Sequence, residues 1–291
     1  MEKRIILRGF GAGALGGLLA FVFARIMAEP FVQKAIDYES GRDAAQNALR
    51  KAAGLAVAPE GAEVLSRGVQ RNTGIGAGMI LFGVAMGGFF AVAYILLERR
   101  TQTRLRPRVL ALLVAGAGFL GLYVVPFLKY PANPPAIGHE NTIGQRTQLY
   151  MLMVVLSVAF LIGAVVLARR LAPRFGTWNA TLLAGGAYIA VMAIVMAILP
   201  PLGHLHANVV AFGRQATETP LPLRDANGRI VFPGFPADVL FKFRLYSLIS
   251  QAILWGTIGL AFGALVERML APAARREPAS DAGRVPTATA A

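Results

Sequence analysis

Three histidines and two carboxylates carry most of the chemistry this sequence could do. His204 and His206 follow Pro200-Pro201, His139 and Glu140 close a proline-rich run, and Glu29 stands before Pro30 at the end of a long apolar stretch. A His-x-His pair on a helix points to different faces, but in an extended or turning segment both rings can share one side. Imidazole nitrogen beside carboxylate oxygen suits cobalt, nickel, copper or zinc. Glu29, His139, Glu140, His204 and His206 are therefore a candidate weak nitrogen/oxygen metal site, with Asp37 and Asp238 as further carboxylates. Each histidine would serve equally well as a plain surface residue. Imidazole ligates metal only when neutral, so such a site weakens in acid.

Other chemistries lack their residues. There is no cysteine, which removes disulfides, thiolate metal sites and cysteine nucleophiles. No His-Glu-x-x-His, Gly-x-Ser-x-Gly or paired-Asp pattern occurs, so no enzyme and no cofactor is expected. Gly11-x-Gly13-x-x-Gly16 matches a dinucleotide fingerprint only in letters, because it lies inside an apolar run rather than between a strand and a helix. No Gly-x4-Gly-Lys-Ser/Thr loop is present, so ATP is not expected as a ligand.

The elements that must hold these residues are set by composition. Of 291 residues, 56% are hydrophobic and 15% charged, against about a quarter charged in a soluble domain. The net charge of +14 could mean nucleic acid, but with this hydrophobicity it points to anionic lipid headgroups instead. A spanning helix needs about 20 mostly apolar residues. Six stretches qualify: 5–28, 74–97, 109–128, 149–168, 180–199 and 245–266. The expected fold is an all-α, polytopic membrane bundle of about six helices, forming one domain over residues 1–270. The last residues, 271–291, are rich in Ala, Pro and Arg and read as a disordered cytoplasmic tail. The first run follows Lys3 and Arg4 as a signal peptide would, but it is longer than a cleaved h-region, so a retained helix is expected.

Basic residues concentrate on the cytoplasmic side of short connections. The N-terminus, the 98–108 connection, the 169–174 connection and the C-tail together hold 15 of the 29 Lys and Arg with 5 acids. The three longer connections hold the other 14 with 10 acids. Both termini are thus expected inside, and all three histidines outside. No carboxylate or histidine lies at the centre of a span, where proton-coupled pumps usually place one. Gly9, Gly13 and Gly17, Gly83 and Gly87, and Gly259 and Gly263 each recur at four-residue spacing. Small residues so spaced let two backbones approach closely in lipid. The prolines from Pro126 to Pro135 are expected to stop the third helix and leave a loop that dips back or lies across the bundle mouth. Residues 239–244 read as an interfacial helical turn before the sixth span, capped by Asp238 or paired through it to Lys242.

Several of these segments share a pattern. Met27-Ala28-Glu29-Pro30 is followed by Ala35-Ile36-Asp37-Tyr38-Glu39. Phe127-Leu128 leads into Lys129-Tyr130-Pro131-Ala132-Asn133-Pro134-Pro135-Ala136-Ile137-Gly138, then Thr142-Ile143 and Arg146-Thr147. Phe235-Pro236-Ala237-Asp238-Val239-Leu240, Phe243-Arg244-Leu245, Gln251 and Leu254-Trp255 complete it. In these runs the chain resembles the CbtA family of bacteria, predicted cobalt transporter subunits, from the first span to Glu267. The resemblance implies a multi-pass protein of the bacterial inner membrane that imports cobalt(II) for cobalamin biosynthesis. It also implies a small single-span partner with a histidine motif (CbtB-like). Residues 202–231, with His204 and His206, depart from the family pattern, so a ligand role for these two is not implied by it. Two readings remain: a cobalt permease subunit with its site on the outer, periplasmic face, and a non-transporting scaffold that binds the partner.

Overall fold

A proline that should end a helix does not end it at two places in this chain. The computed structural model describes residues 1–57, 67–101 and 105–274. Helix α1 runs from Glu2 to Ala52 without a break. Inside it, Ala24–Ala28 is π-wound, and the Glu29 N–H reaches back to the Ala24 carbonyl. Proline lacks an N–H and crowds the carbonyl four residues back. The one-residue bulge displaces that carbonyl, and the helix continues through Pro30. Helix α3, Pro107–Lys129, repeats the device: Leu120–Val124 is π-wound, the Val125 N–H reaches Leu120 O, and Pro126 follows. Two expectations change accordingly. The first helix continues well past residue 28, and Pro126 does not stop the third, which ends at Lys129 just before Pro131.

Helix α2, Ile75–Thr101, packs against the N-terminal half of α1 through glycine. A Cβ on Gly9 would strike the Gly87 carbonyl, one on Gly13 the Gly83 carbonyl, and one on Gly17 would lie 2.5 Å from Met79 O. The partners descend as α1 ascends, so the two helices are antiparallel. Another face of α1 meets helix α6, Ala237–Ala274, where a Gly16 Cβ would come within 2.9 Å of Leu254 O. Helix α6 then packs on α3, with Gly259 set against the Ala115 side chain and Gly263 against Ala111. The core between these four helices holds Phe90, Tyr94, Leu254, Trp255, Ile258 and Phe262. Phe262 takes both Phe90 and Tyr94 edge-on, with centroids 4.9 and 5.0 Å away. Ion pairs Glu2–Arg99 and Arg108–Glu267 tie the same end of the bundle.

Helix α4, Ile143–Ile198, contains both remaining apolar stretches and folds back on itself at Gly176, where φ is 76° and ψ 159°. That conformation is essentially confined to glycine. Ser157 and Tyr188, on opposite sides of it, share a hydrogen bond of 2.8 Å. In a straight helix they would stand roughly 46 Å apart at 1.5 Å per residue. Met153, Tyr188 and Met192 bury against Val125 and Tyr130 at the end of α3. Among the described residues five helices are long and apolar enough to cross a membrane, and this fourth one is doubled. The protein is a nearly all-α, multi-pass membrane bundle.

A cap covers one end. It comprises the C-terminal half of α1 from Glu29, the segment 130–142, the short helix α5 (His206–Phe212), strands β1 (Leu223–Arg224) and β2 (Ile230–Phe232), and the start of α6. Ala35, Tyr38, Ile137, Phe235 and Val239 form its apolar centre. The β-ribbon is an addition to the expected all-helical fold. It pairs Leu223 with Phe232 and turns at Asp225, whose Oδ1 accepts from the Asn227 and Arg229 N–H groups at 2.9 Å each. The expected interfacial turn before residue 245 is the first part of α6 itself, which has Asp238 in its first turn. Helix α6 continues to Ala274, four residues into the expected tail. Residues 275–291 of that tail lie outside the described residues.

Candidate functional site

The cap is held by one buried carboxylate. Glu218 is 2% exposed, and both its oxygens are fully engaged. Oε1 accepts from Asn208 Nδ2 at 2.9 Å and shares the Thr142 hydroxyl, 3.3 Å away, with His139 O, to which that hydroxyl donates at 2.6 Å. Oε2 accepts from Asn133 Nδ2 at 3.3 Å and lies 3.5 Å from Arg146 Nη1. Its main-chain carbonyl accepts the Gly138 N–H at 3.3 Å. Burying a carboxylate costs several kcal/mol unless hydrogen bonds and a countercharge replace its water, and here two amides, a shared hydroxyl and the Arg146 guanidinium do so. With its lone pairs so occupied, Glu218 holds the cap together and does not present a vacant ligand.

The Lys129–His139 run is laid across the bundle end by these contacts. Tyr130 is buried, and its hydroxyl donates to Pro200 O at 2.9 Å, fastening the end of α3 to the end of α4. Burial pushes its phenol above the ordinary value, which keeps that donor protonated. Lys129 Nζ sits 5.8 Å over the same ring. The Asn133 amide is a relay, because its Oδ1 accepts from Arg244 Nη2 at 2.7 Å while its Nδ2 serves Glu218. Arg244 Nε also donates to Ala132 O at 3.3 Å. Ala136 takes a left-handed φ of 69° and Gly138 a φ of 91°, which turns Ile137 into the apolar centre between them. A Cβ on Gly138 would lie 2.6 Å from the Arg146 guanidinium. Arg146 Nη1 donates to Ile137 O at 3.4 Å. Pro134 is buried and Pro131 and Pro135 half-buried. Phe235 is buried edge-on to Tyr38 at 4.9 Å, and Pro236 is exposed one residue before α6 begins.

Of the candidate ligands, the histidines lie in the cap. His139 is half-buried; its Nδ1 accepts the Asn141 N–H at 3.2 Å, and its ring stands edge-on to Phe212. A neutral imidazole that accepts at Nδ1 carries its proton on Nε2, so ligation through Nε2 requires the other tautomer. Glu140, His204 and His206 are exposed. His204 ends a 3-10 turn and His206 opens α5, while the buried residue of that helix is Asn208, which donates to Leu202 O and Glu218. Among the described residues, no three His, Cys, Asp or Glu gather closely enough to hold a metal ion.

Glu29 is placed elsewhere. It is 7% exposed and lines a cavity of about 370 Å³ between the cap and the helices. Arg25 shares its wall from α1, Tyr123 from α3, and Ser247 and Gln251 from α6, with Ala132 of the cap above. His139, Glu140, His204 and His206 do not line it. Sequence reasoning named Glu29, Asn133, Arg146 and Arg244, but missed Glu218, Asn208 and the cavity-lining role of Tyr123. Glu218 and Asn208 fall in the segment that departs from the family pattern, and only the scarcity of acids there marked Glu218.

A bundle of membrane-spanning helices with a cap over one end and a half-open cavity between them is the architecture of an integral-membrane protein. Residues 2–267 match a family model described as "Probable cobalt transporter subunit (CbtA)". The chain belongs to the CbtA family. Comparison with curated proteins and with solved structures returned no match.

Proposed function

We propose that this chain is the membrane-embedded subunit of a cobalt(II) uptake transporter of the bacterial inner membrane, taking the ion from the outer, periplasmic face. The family match over residues 2–267 carries the reading. The position of all three histidines in one cap supports the direction. The two arms of α4 count as separate crossings, giving six spans with both termini inside. His139, Glu140, His204 and His206 make a weak capture surface on the cap, and Glu29 lies below it. A loosely held ion can leave again, which transport requires. Nickel and copper bind such ligands more tightly than cobalt does, so selectivity falls to geometry or to a small single-span, histidine-containing partner. Cobalt is cargo; the chain needs no resident cofactor.

A scaffold that binds the partner without conducting the ion is the second reading. It is favoured by one observation: no three potential ligands converge among the described residues. Uptake of labelled cobalt by cells expressing the chain alone, and then with the partner, separates the two. Import by the chain alone establishes the permease. No import in either case overturns the first reading.

A further inference from the structure

We infer that the groove beside Arg4 and Arg8 seats one anionic phospholipid, its phosphate held by the two guanidinium groups and the upper part of a chain laid between α1 and α6. The groove has a volume of about 520 Å³ and is open along one side. Its walls are Arg4, Leu7, Arg8 and Gly11 of α1 and Leu265 of α6. It lies at the end of α1 remote from the cap, and its lining is cationic or apolar, with no acid.

The protein does not balance the charge there. The carboxylates on the neighbouring helix ends are committed elsewhere, Glu2 to Arg99 and Glu267 to Arg108. Among the described residues neither Arg4 nor Arg8 has a carboxylate partner. Like charges four residues apart on a helix repel. Arg8 nevertheless does not reach out to water as a snorkelling side chain would. It is half-buried, and its Nη1 donates to Arg4 O at 3.1 Å and lies 2.9 Å from Met269 Sδ on α6. These contacts fix the guanidinium on the groove wall and leave Nε and Nη2 for a ligand. Such planar N–H donors match the oxygens of a phosphate.

Depth selects a lipid over a free ion. Arg8 is the last charge before the uncharged run from Gly9 to Ala24, so the pair stands where the span meets the headgroups. On the bilayer side the groove is apolar. Leu265 is exposed, and a Cβ on Gly11 would meet nothing within 4 Å. Inorganic phosphate would leave that half unfilled, whereas a phospholipid fills both. Basic pockets between spanning helices hold anionic headgroups in this way.

The test titrates the purified, delipidated full-length chain in detergent with phosphatidylglycerol and reads the first bound lipid by native mass spectrometry. The wild type should bind it at least tenfold more tightly than phosphatidylcholine, whose choline cancels the phosphate charge. Arg4→Gln with Arg8→Gln should weaken binding at least tenfold. Arg169→Gln with Arg170→Gln, which removes the same charge from exposed positions on α4, should leave it unchanged. Gly11→Leu should weaken it several-fold by filling the apolar half, and it keeps both arginines should the double variant fold poorly. A large excess of inorganic phosphate should not displace the lipid. Unchanged binding in the Arg4/Arg8 variant or in Gly11→Leu overturns the inference. So does an equal loss in the Arg169/Arg170 control, equal affinity for phosphatidylcholine, or displacement by inorganic phosphate.

Discussion

The hydroxyls of Ser157 and Tyr188 lie 2.8 Å apart although 31 residues separate them in the sequence. The contact exists because Gly176 reverses α4 between them. It turns the most apolar segment of the chain into a pair of antiparallel arms. Tyr188→Phe should cost about 0.6 kcal/mol, the average for such bonds in membrane helices. Gly176→Val should cost more, on the order of 1–3 kcal/mol, because it strains the backbone itself. Thermal melting of both variants in detergent checks the order. A Gly176→Val melt equal to wild type would mean the arms are not reversed at that residue.

Glu218→Leu should destabilise the protein by about 3–5 kcal/mol, since Arg146 would be left without its carboxylate inside the cap. Asn208, Thr142 and Asn133 would lose their acceptor at the same time. Limited proteolysis of the cap is the readout, and new cleavage between 130 and 142 is expected. An intact cap in Glu218→Leu would show that the apolar cluster around Tyr38 suffices.

Gly13→Leu should sharply lower folded yield, because its Cβ already meets the backbone of Gly83. Gly11→Ala is the matched control, since a Cβ there meets nothing within 4 Å. Yield after size-exclusion chromatography compares them. Equal yields would place the close approach of α1 and α2 elsewhere.

Single cysteines test orientation cleanly in a chain that has none of its own. Ala226→Cys, exposed in the β-ribbon turn, should react with an impermeant thiol reagent on intact cells. Thr177→Cys, exposed beside the reversal of α4, should react only after the membrane is opened. The reverse result would invert the proposed topology.

The double variant His204→Ala with His206→Ala should reduce cobalt uptake several-fold at pH 7.5 with folded protein unchanged, because both side chains are exposed and support no packing. Uptake at the wild-type rate would remove both from the capture surface and leave His139, Glu140 and Glu29 to be tested singly.

Length and hydropathy exposed the helices because lipid leaves the backbone few alternatives. The four-residue glycine spacing likewise pointed to close helix contacts, a property one element carries in its own order. The helix through Pro30 was not legible, since whether a proline ends a helix depends on where one carbonyl points. Glu218 was hidden for a different reason. Its partners Asn133 and Thr142 stand 85 and 76 residues away, and no local pattern announces such a meeting. The β-ribbon did carry a signal in Asn227-Gly228, a strong hairpin pair, but its strands are too short to show alternation.

Helix α1 is a single rod of 51 residues, about 75 Å long at 1.5 Å per residue. Its N-terminal half is clasped by the glycines of α2, and its C-terminal half carries Tyr38 and Arg42, which donate to Pro233 O and Leu221 O in the cap. A lever of that length turns a 5° tilt at one end into roughly 6 Å of travel at the other. The π-wound turn at Ala24–Ala28 keeps that rod continuous through Pro30, and Glu29 is the first residue beyond it. A tilt of the N-terminal half in the bilayer would thus be carried along the rod to the cap, past Glu29.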